Sequence, residues 1–372
     1  LPITNYEVGQ SIELIIESLS FNGGRGVGRH EGMVVFVPLT VPGDRILAKV
    51  EEVKKAFLVA SLSEVLQPSH ARKDARCSVF GRCGSCSWQN VEYEEQLKQK
   101  QKILVSALNP ILKNHADIEM SEIVASPSQF GYRNRIQVHK SGNQVGFFAR
   151  GSRKIVDIEV CPIAEPDVSA QIHLIRSQTD DRYEISRRTD EHVGYEAGTR
   201  SAEAALFSQV NSGQNANLIA AVLSAAAEAP FREAWDLYCG AGNLTLPLAQ
   251  NFPKAKVLGV ELSRQAIQRS KEIQSQVKWF AEDVGRFLRD QQIRTGLLVV
   301  LDPPRVGVED RVIAEFIRLQ PERILYVSCN PMTLSRDLQK ILRSNYKLKK
   351  IQGFDMFPQT EHFEILAHLE RR

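Results

Sequence analysis

From about Gln209 onward the sequence alternates short apolar runs with amphipathic ones, and this alternation constrains the fold more than any other feature. NANLIAAVLSAAAEA has helical spacing, EAWDLYCGAG is an apolar run closing on a glycine turn, and NLTLPLAQNF is helical again. AKVLGVEL, VKWFAEDV, LLVVLDPPR and RILYVSC are further strand-like runs, separated by helical stretches such as SRQAIQRSKEIQ. Strand and helix in repeated succession predict a doubly wound parallel sheet with helices on both faces, because parallel strands need a crossover long enough to hold a helix. Ligands of such α/β folds bind beyond the carboxyl ends of the strands, so the residues that close each strand are the candidates for chemistry. The tail, KLKKIQGFDMFPQTEHFEILAHLERR, reads as a closing pair of strands.

The first half has a different rhythm. Between Val8 and Val65, alternating runs broken by Gly and Pro predict a small β-barrel of the oligonucleotide-binding kind. A cysteine-rich stretch follows, then a helix in VEYEEQLKQKQKILVSAL, then strand-like text from about Ile118 to Arg200 with a hairpin cue at SGNQ. The expected division is a barrel at 1–67, a central α+β region at 68–200 and the α/β domain at 201–372. The 43% hydrophobic and 24% charged composition is that of an ordinary globular protein, and the net charge of +3 permits nucleic-acid binding without requiring it. No run is long and apolar enough to span a membrane, and LPITNYEVGQ lacks the layout of a signal peptide. These features predict a cytoplasmic monomer.

Three strand ends point to a nucleoside-type cofactor. Gly240 and Gly242 sit in the turn after the first strand, where a missing side chain lets the backbone approach a ligand. Glu261 closes the next strand, about 20 residues on, where an acidic residue reaches ribose hydroxyls. Asp283 follows the third, placed for an adenine edge. The full G-x-G-x-x-G phosphate fingerprint is missing, which favours S-adenosylmethionine over a dinucleotide.

Asp302 and Cys329 close the fourth and fifth strands and are expected to be neighbours. Ser328, Asn330 and Pro331 flank Cys329 at a strand tip, where a core residue is not expected. A thiolate that adds to carbon 6 of a uracil turns carbon 5 into an enolate-like nucleophile toward a methyl sulfonium. A base must then take the carbon 5 proton. Glu364 in QTEHFEIL is assigned to that role, with Glu361 as the competitor.

FSQVN, DLYCGAGNLTLPLA, GVELS, LDPPR, VSCNP and FPQTEHFE together resemble the RNA 5-methyluridine methyltransferase family over Val8 to Arg372. The likeness is greatest to the bacterial 23S rRNA enzymes that carry an N-terminal TRAM domain. The resemblance implies that Cys329 is the nucleophile and Glu364 the base. It implies S-adenosylmethionine contacts at Gln209, Tyr238, Gly240, Asn243, Glu261, Asp283 and Asp302, with Tyr238 standing where many members have Phe. Phe207 resembles the aromatic that stacks near the target base. The substrate implied is 23S rRNA, with a tRNA uridine as the alternative. A non-catalytic RNA-binding protein is disfavoured because both Cys329 and Glu364 are present.

Cys77, Cys83 and Cys86 have the spacing C-x5-C-x2-C, and Cys161 lies in VCPIAEP. Four thiols without an export signal suit a [4Fe–4S] cluster or a zinc site, and the resemblance favours the cluster. Tyr132, Arg133 and Arg135, with Lys140, Arg150, Arg153 and Lys154 near them, are candidate RNA contacts, as are Arg25 and Arg29 in the barrel.

Overall fold

The structure is a computed structural model that describes residues 6–115, 117–189, 192–198, 209–273 and 276–372. The chain packs as two compact units, Leu1–Ile103 with Ser128–Thr199 and Phe357–His362, and Leu104–Pro127 with Arg200–Met356 and Phe363–Arg372.

The first unit begins with β1 (Ser11–Leu19), β2 (Gly26–His30), β3 (Met33–Val37), β4 (Arg45–Val53) and β5 (Phe57–Gln67). They form a closed barrel in the order β1-β2-β3-β5-β4. Period-two alternation drives the closure: Ile12, Leu14 and Ile16 point inward to meet Val35, Val37, Ile46 and Leu58, while Ser11, Glu13 and Ile15 face out. Gly28 is required where β1 and β2 cross, since a Cβ there would stand 2.4 Å from the Ile15 carbonyl oxygen.

After a loop-rich stretch, helix α1 (Tyr93–Leu112) runs from the first unit into the second, and the short β6 (Glu119–Met120) follows it. The first unit resumes with β7 (Arg135–Ser141), β8 (Gln144–Phe148), β9 (Ile155–Asp157), the short helix α2 (Pro166–Ala170), β10 (Arg182–Thr189) and β11 (His192–Ala197). These strands form a sheet in the order β11-β10-β7-β8-β9. Ser141 faces Gln144 across the SGNQ turn, and Gly142 supplies its positive φ of 57°. Residues 357–362 thread into this unit. The Gln359 carbonyl accepts the backbone N–H groups of Ser87 and Trp88, Lys100 Nζ donates to the Phe357 carbonyl at 3.1 Å, and Tyr132 donates to that of Pro358 at 3.1 Å.

The second unit holds α3 (Ser212–Ala227), β12 (Glu233–Leu237), α4 (Thr245–Asn251), β13 (Lys256–Glu261), α5 (Arg264–Ile273), β14 (Lys278–Ala281) and α6 (Val284–Arg289). It continues with β15 (Leu297–Leu301), α7 (Asp310–Leu319), β16 (Arg323–Ser328), α8 (Pro331–Ile341), β17 (Tyr346–Phe354) and β18 (Glu364–Arg371). The sheet order is β14-β13-β12-β15-β16-β18-β17-β6, with β12 to β16 parallel and β18 antiparallel to both its neighbours. Every residue of β12, β15 and β16 is buried, as parallel strands covered on both faces require. The winding reverses between β12 and β15, which opens a crevice at their carboxyl ends. Among the described residues no helix is long and apolar enough to cross a membrane.

Candidate active site and cysteine pocket

The crevice collects the residues that close β12, β13 and β15. Tyr238, directly after β12, has a φ of +65°, an uncommon conformation for a residue with a side chain. A Cβ at Gly240 would meet nothing within 4 Å, so the turn leaves open space beside its backbone. Glu261 braces that turn: Oε2 accepts the Gly240 N–H at 3.2 Å and Oε1 accepts that of Ser263 at 2.9 Å. Asn243 exchanges two amide hydrogen bonds with Asn215 on α3, at 2.8 and 3.0 Å. Gln209 is buried, and its neighbour Asn211 caps α3 while donating to Ser126 and to the Met356 carbonyl. Asp283 caps α6 through the Arg286 N–H and pairs with Arg311 at 3.0 Å, so much of its carboxylate is committed to protein partners.

Below the turn, Asp236 is buried beside Asp302. Its Oδ2 accepts the Thr245 hydroxyl at 2.5 Å, while its Oδ1 has no partner. Burial first, and the neighbouring Asp302 charge after it, push Asp236 up to about 7. Burial likewise pushes Asp302 up to about 7. Two buried neighbouring carboxyls that resist ionisation are suited to meet a cation, because a positive ligand offsets the cost of ionising them.

The β16–β18 ladder brings two further residues close. Ser328, the last residue of β16, faces Ile365 of β18, so Cys329 and Glu364 lie at the end of that ladder, near enough for the Glu364 charge to act on the thiol. Cys329 is half-buried, whereas Glu364 is 3% exposed and its Oε2 has no hydrogen-bond partner. Burial drives Glu364 well above the usual carboxylate range, and the Asp302 charge adds to this. Burial also pushes the Cys329 thiol up to about 12, with Glu364 and Asp302 acting in the same direction. Two features favour the thiolate. The Arg305 guanidinium lowers both Cys329 and Glu364, and α8 starts directly behind the thiol, its Asn330 cap accepting the Met332 N–H at 3.0 Å. Glu361, the competing base, accepts the Ser87 hydroxyl at 2.5 Å in the first unit.

Sequence reasoning passed over Arg305, Asn215 and Asp236 as site residues. Arg305 and Asp236 stand in words already singled out, LDPPR and DLYCGAG. For Asn215 no sequence signal exists, since its role comes from α3 passing Asn243.

In the first unit Cys77, Cys83, Cys86 and Cys161 line one pocket of about 340 Å³, together with Val79, Phe147 and Ile158. Loops hold them there. Gln89 accepts the Cys77 N–H at 3.0 Å, Ser169 accepts that of Cys161 at 2.8 Å, and the Phe148 carbonyl accepts that of Gly84 at 2.9 Å. Cys239 and Cys329 lie in the second unit.

The expected RNA contacts divide. Phe207 lies outside the described residues. Tyr132 is 4% exposed and spends its hydroxyl on Pro358, and the Arg133 guanidinium lies over the rings of Tyr132 and Phe357. Tyr132 is an interior group, covered as the 357–362 segment folds into this unit, and Arg133 is half-buried beside it. Arg135 approaches Glu184 at 3.8 Å with its side chain 15% exposed. Arg150 donates to the carbonyls of Gly23 and Cys86, a structural use of a basic side chain.

Comparison with known proteins bears on this arrangement. A family model described as tRNA (Uracil-5-)-methyltransferase matches residues 191–279 and 271–372, and a TRAM domain model matches residues 6–62. An uncharacterized RNA methyltransferase of Bdellovibrio bacteriovorus is 38% identical over 379 residues, spanning 97% of this chain and 95% of its own. Another, of Thermosynechococcus vestitus, is 32% identical over 453 residues, spanning 98% of this chain and 99% of its own. The solved structure of the Pyrococcus abyssi tRNA (uracil-54, C5)-methyltransferase with S-adenosyl-L-homocysteine matches at a TM-score of 0.74 and 25% identity, covering 96% of this chain and 100% of that one.

Proposed function

Since the chain belongs to the RNA uracil-5-methyltransferase family and is an S-adenosylmethionine-dependent enzyme acting on RNA, we propose that Cys329 and Glu364 carry out its chemistry through a covalent RNA adduct. The observation that supports this most is the ladder end at which the Cys329 thiol lies near a buried carboxylate whose Oε2 lacks a partner.

The Cys329 sulfur adds to carbon 6 of the target uracil, and the displaced π electrons pass toward the carbon 4 oxygen. Carbon 5 then attacks the methyl of the sulfonium substrate, forming the carbon–carbon bond as the sulfur–methyl bond breaks. Glu364 takes the carbon 5 proton, the 5,6 double bond returns and the thiolate leaves. Arg305 assists by favouring the ionised forms of both groups. Tyr238, Gly240, Asn243, Glu261, Asp302 and, behind them, Gln209 form the methyl-donor side of the crevice, with Asp283 offering what its cap and Arg311 leave. Both Cys329 and Glu364 sit above their ordinary ranges in the free protein, so the positive charge of the bound sulfonium helps ionise them.

Cys77, Cys83, Cys86 and Cys161 would hold a [4Fe–4S] cluster. Bound there, it would supply a cross-link between the loop stretch and the sheet of the first unit. The division of labour is then a barrel at 1–67, a cluster-bearing region at 68–200 and a catalytic domain at 201–372.

The substrate we favour is 23S rRNA, because the barrel and the cysteine set together resemble the bacterial 23S enzymes. A tRNA uridine is the second reading, supported by the full-length match to the archaeal enzyme named for uracil 54 of tRNA. Both are tested by incubating the enzyme with labelled methyl donor and transcripts of each RNA, then mapping 5-methyluridine. Label in tRNA alone overturns the rRNA reading. Label on any atom other than uracil carbon 5 overturns the chemistry.

A further inference from the structure

His368 lies four residues along β18 from Glu364, about 13 Å of extended strand. It pairs with Leu325 on one side and Lys350 on the other, in the interior of the sheet. Its side chain is 2% exposed, and neither Nδ1 nor Nε2 has a hydrogen-bond partner. A buried imidazole with both nitrogens unpartnered is costly, since each forfeits its bonds to water.

The surroundings explain what would relieve it. Glu228 caps the end of α3, and Glu370 stands two residues beyond His368, on the same face of β18. One ligand atom from each of Glu228, His368 and Glu370 lies within 4.8 Å of the other two. Glu228 and His368 line a pocket together with Ala221, Ser224, Lys350, Gln352 and Leu366, and Glu370 stands beside it. The carboxylates already converge on a cation: Lys349 Nζ stands 2.7 Å from Glu228 and 2.9 Å from Glu370. Lys349 bridges the two carboxylates, while the imidazole stands 3.5 Å from Glu228 through Nδ1 and 3.8 Å from Glu370 through Nε2 without a hydrogen bond to either. Lys349 is 41% exposed on a flexible stem and is free to swing outward. Lys347 at 3.2 Å from Glu370, Lys350, which lines the pocket and pairs with Glu119, and the buried Arg323, bound to carbonyls at the end of α3, are the other charges near the cluster.

We propose that Glu228, His368 and Glu370 bind a divalent transition-metal ion of the zinc class, which displaces Lys349 and ties the end of α3 to β18. Two carboxylates and an imidazole form a ligand set for a divalent ion. The imidazole selects zinc-like ions over magnesium or calcium, which take oxygen ligands.

The test uses the full-length enzyme prepared anaerobically with its cysteine site loaded. Equilibrium dialysis against zinc sulfate should find one zinc per chain. X-ray absorption at the zinc edge should show nitrogen and oxygen neighbours at about 2.0–2.1 Å without sulfur. His368→Gln and Glu228→Gln should each weaken binding at least tenfold. Glu228→Gln changes a partly exposed position, so it remains informative even if His368→Gln fails to fold. Lys349→Met should tighten binding severalfold, because the competing cation is gone. Zinc surrounded by sulfur, equal binding by Glu228→Gln and the unaltered enzyme, or weaker binding by Lys349→Met would each overturn the site and show an ion-paired surface cluster only.

Discussion

Cys329 is set in place by a sheet, and Cys77, Cys83, Cys86 and Cys161 by loops. The difference separates two ways of building a reactive centre. At the strand ends, the ladders bring Cys329 near Glu364 and line up Tyr238, Glu261 and Asp302, so each side chain is positioned by backbone that exists for other reasons. In the cysteine pocket the sulfurs stand on loops, each braced by single contacts rather than by a ladder: Gln89 on Cys77, Ser169 of α2 on Cys161, the Phe148 carbonyl of β8 on Gly84. A change at a strand end should therefore alter chemistry and leave the fold, whereas a change of a pocket cysteine should alter the fold and reach the chemistry indirectly.

The largest effect expected is at the nucleophile. Cys329→Ala should lower methyl transfer by about ten-thousand-fold or more, the scale on which removing an essential nucleophile acts. It should also abolish the covalent complex with RNA containing 5-fluorouridine, which traps the adduct because carbon 5 has no proton to lose. Melting temperature and methyl-donor affinity should stay near those of the unaltered enzyme. Near-normal turnover would end the covalent reading, and a large loss of stability would end the contrast with the loops.

Glu364→Gln should act later in the same cycle. The adduct should form and the methyl group transfer, but release should slow by about a hundredfold to ten-thousand-fold, the usual worth of a positioned base. Denaturing gels would show the methylated adduct accumulating with natural RNA. Failure to form any adduct would assign Glu364 to an earlier step.

Cys83→Ser or Cys161→Ser should give the converse pattern. Iron content should fall, the first unit should melt earlier, and RNA affinity should drop by about tenfold, while methyl-donor affinity measured by calorimetry should change less than about twofold. A matched loss of methyl-donor affinity would show that the two centres are not separable in the way their construction implies.

The same contrast explains what could be read from the sequence. The barrel, the α/β alternation and the residues at strand ends were legible because periodicity and strand termination are local properties. The strand-end positions of Cys329 and Glu364 were legible in the same way, while the roles proposed for them came from the chemistry and the family resemblance. Tyr132 shows where local reading fails. A basic or aromatic residue in an exposed-looking pattern is indistinguishable from one that a distant segment will cover, and residues 357–362 cover Tyr132, as they leave Lys100 fully buried against the Phe357 carbonyl. Arg305 escaped for a related reason, because its effect is a charge felt across space rather than a position in a ladder.

A smaller effect belongs to Glu261→Ala. Its two oxygens brace the Gly240 turn, so the variant loses that brace as well as a contact to the methyl donor. Leaving a buried polar partner unpaired costs about 1–3 kcal/mol, or about five- to 150-fold in affinity. Unchanged affinity by calorimetry would remove Glu261 from the methyl-donor site.

The smallest and most specific effect concerns Asp302 and the dependence of stability on pH. Burial raises its carboxyl to about 7 in the folded chain, far above its usual value of 3.8. A group raised on folding binds its proton more tightly in the native state. Its contribution to stability is therefore complete below the ordinary carboxylate range and is lost as pH rises through about 7. Asp236 and Glu364 are displaced in the same direction, so the free protein should melt at progressively lower temperature between pH 5 and 8. Asp302→Asn cannot ionise, and it also lifts the charge that raises Asp236 and Glu364, so its melting temperature should fall less over that range. Calorimetric scans at several pH values, taken without methyl donor, read the two slopes. Parallel slopes would mean that Asp302 ionises freely in the folded state, and that the strand ends do not hold the strained charges ascribed to them.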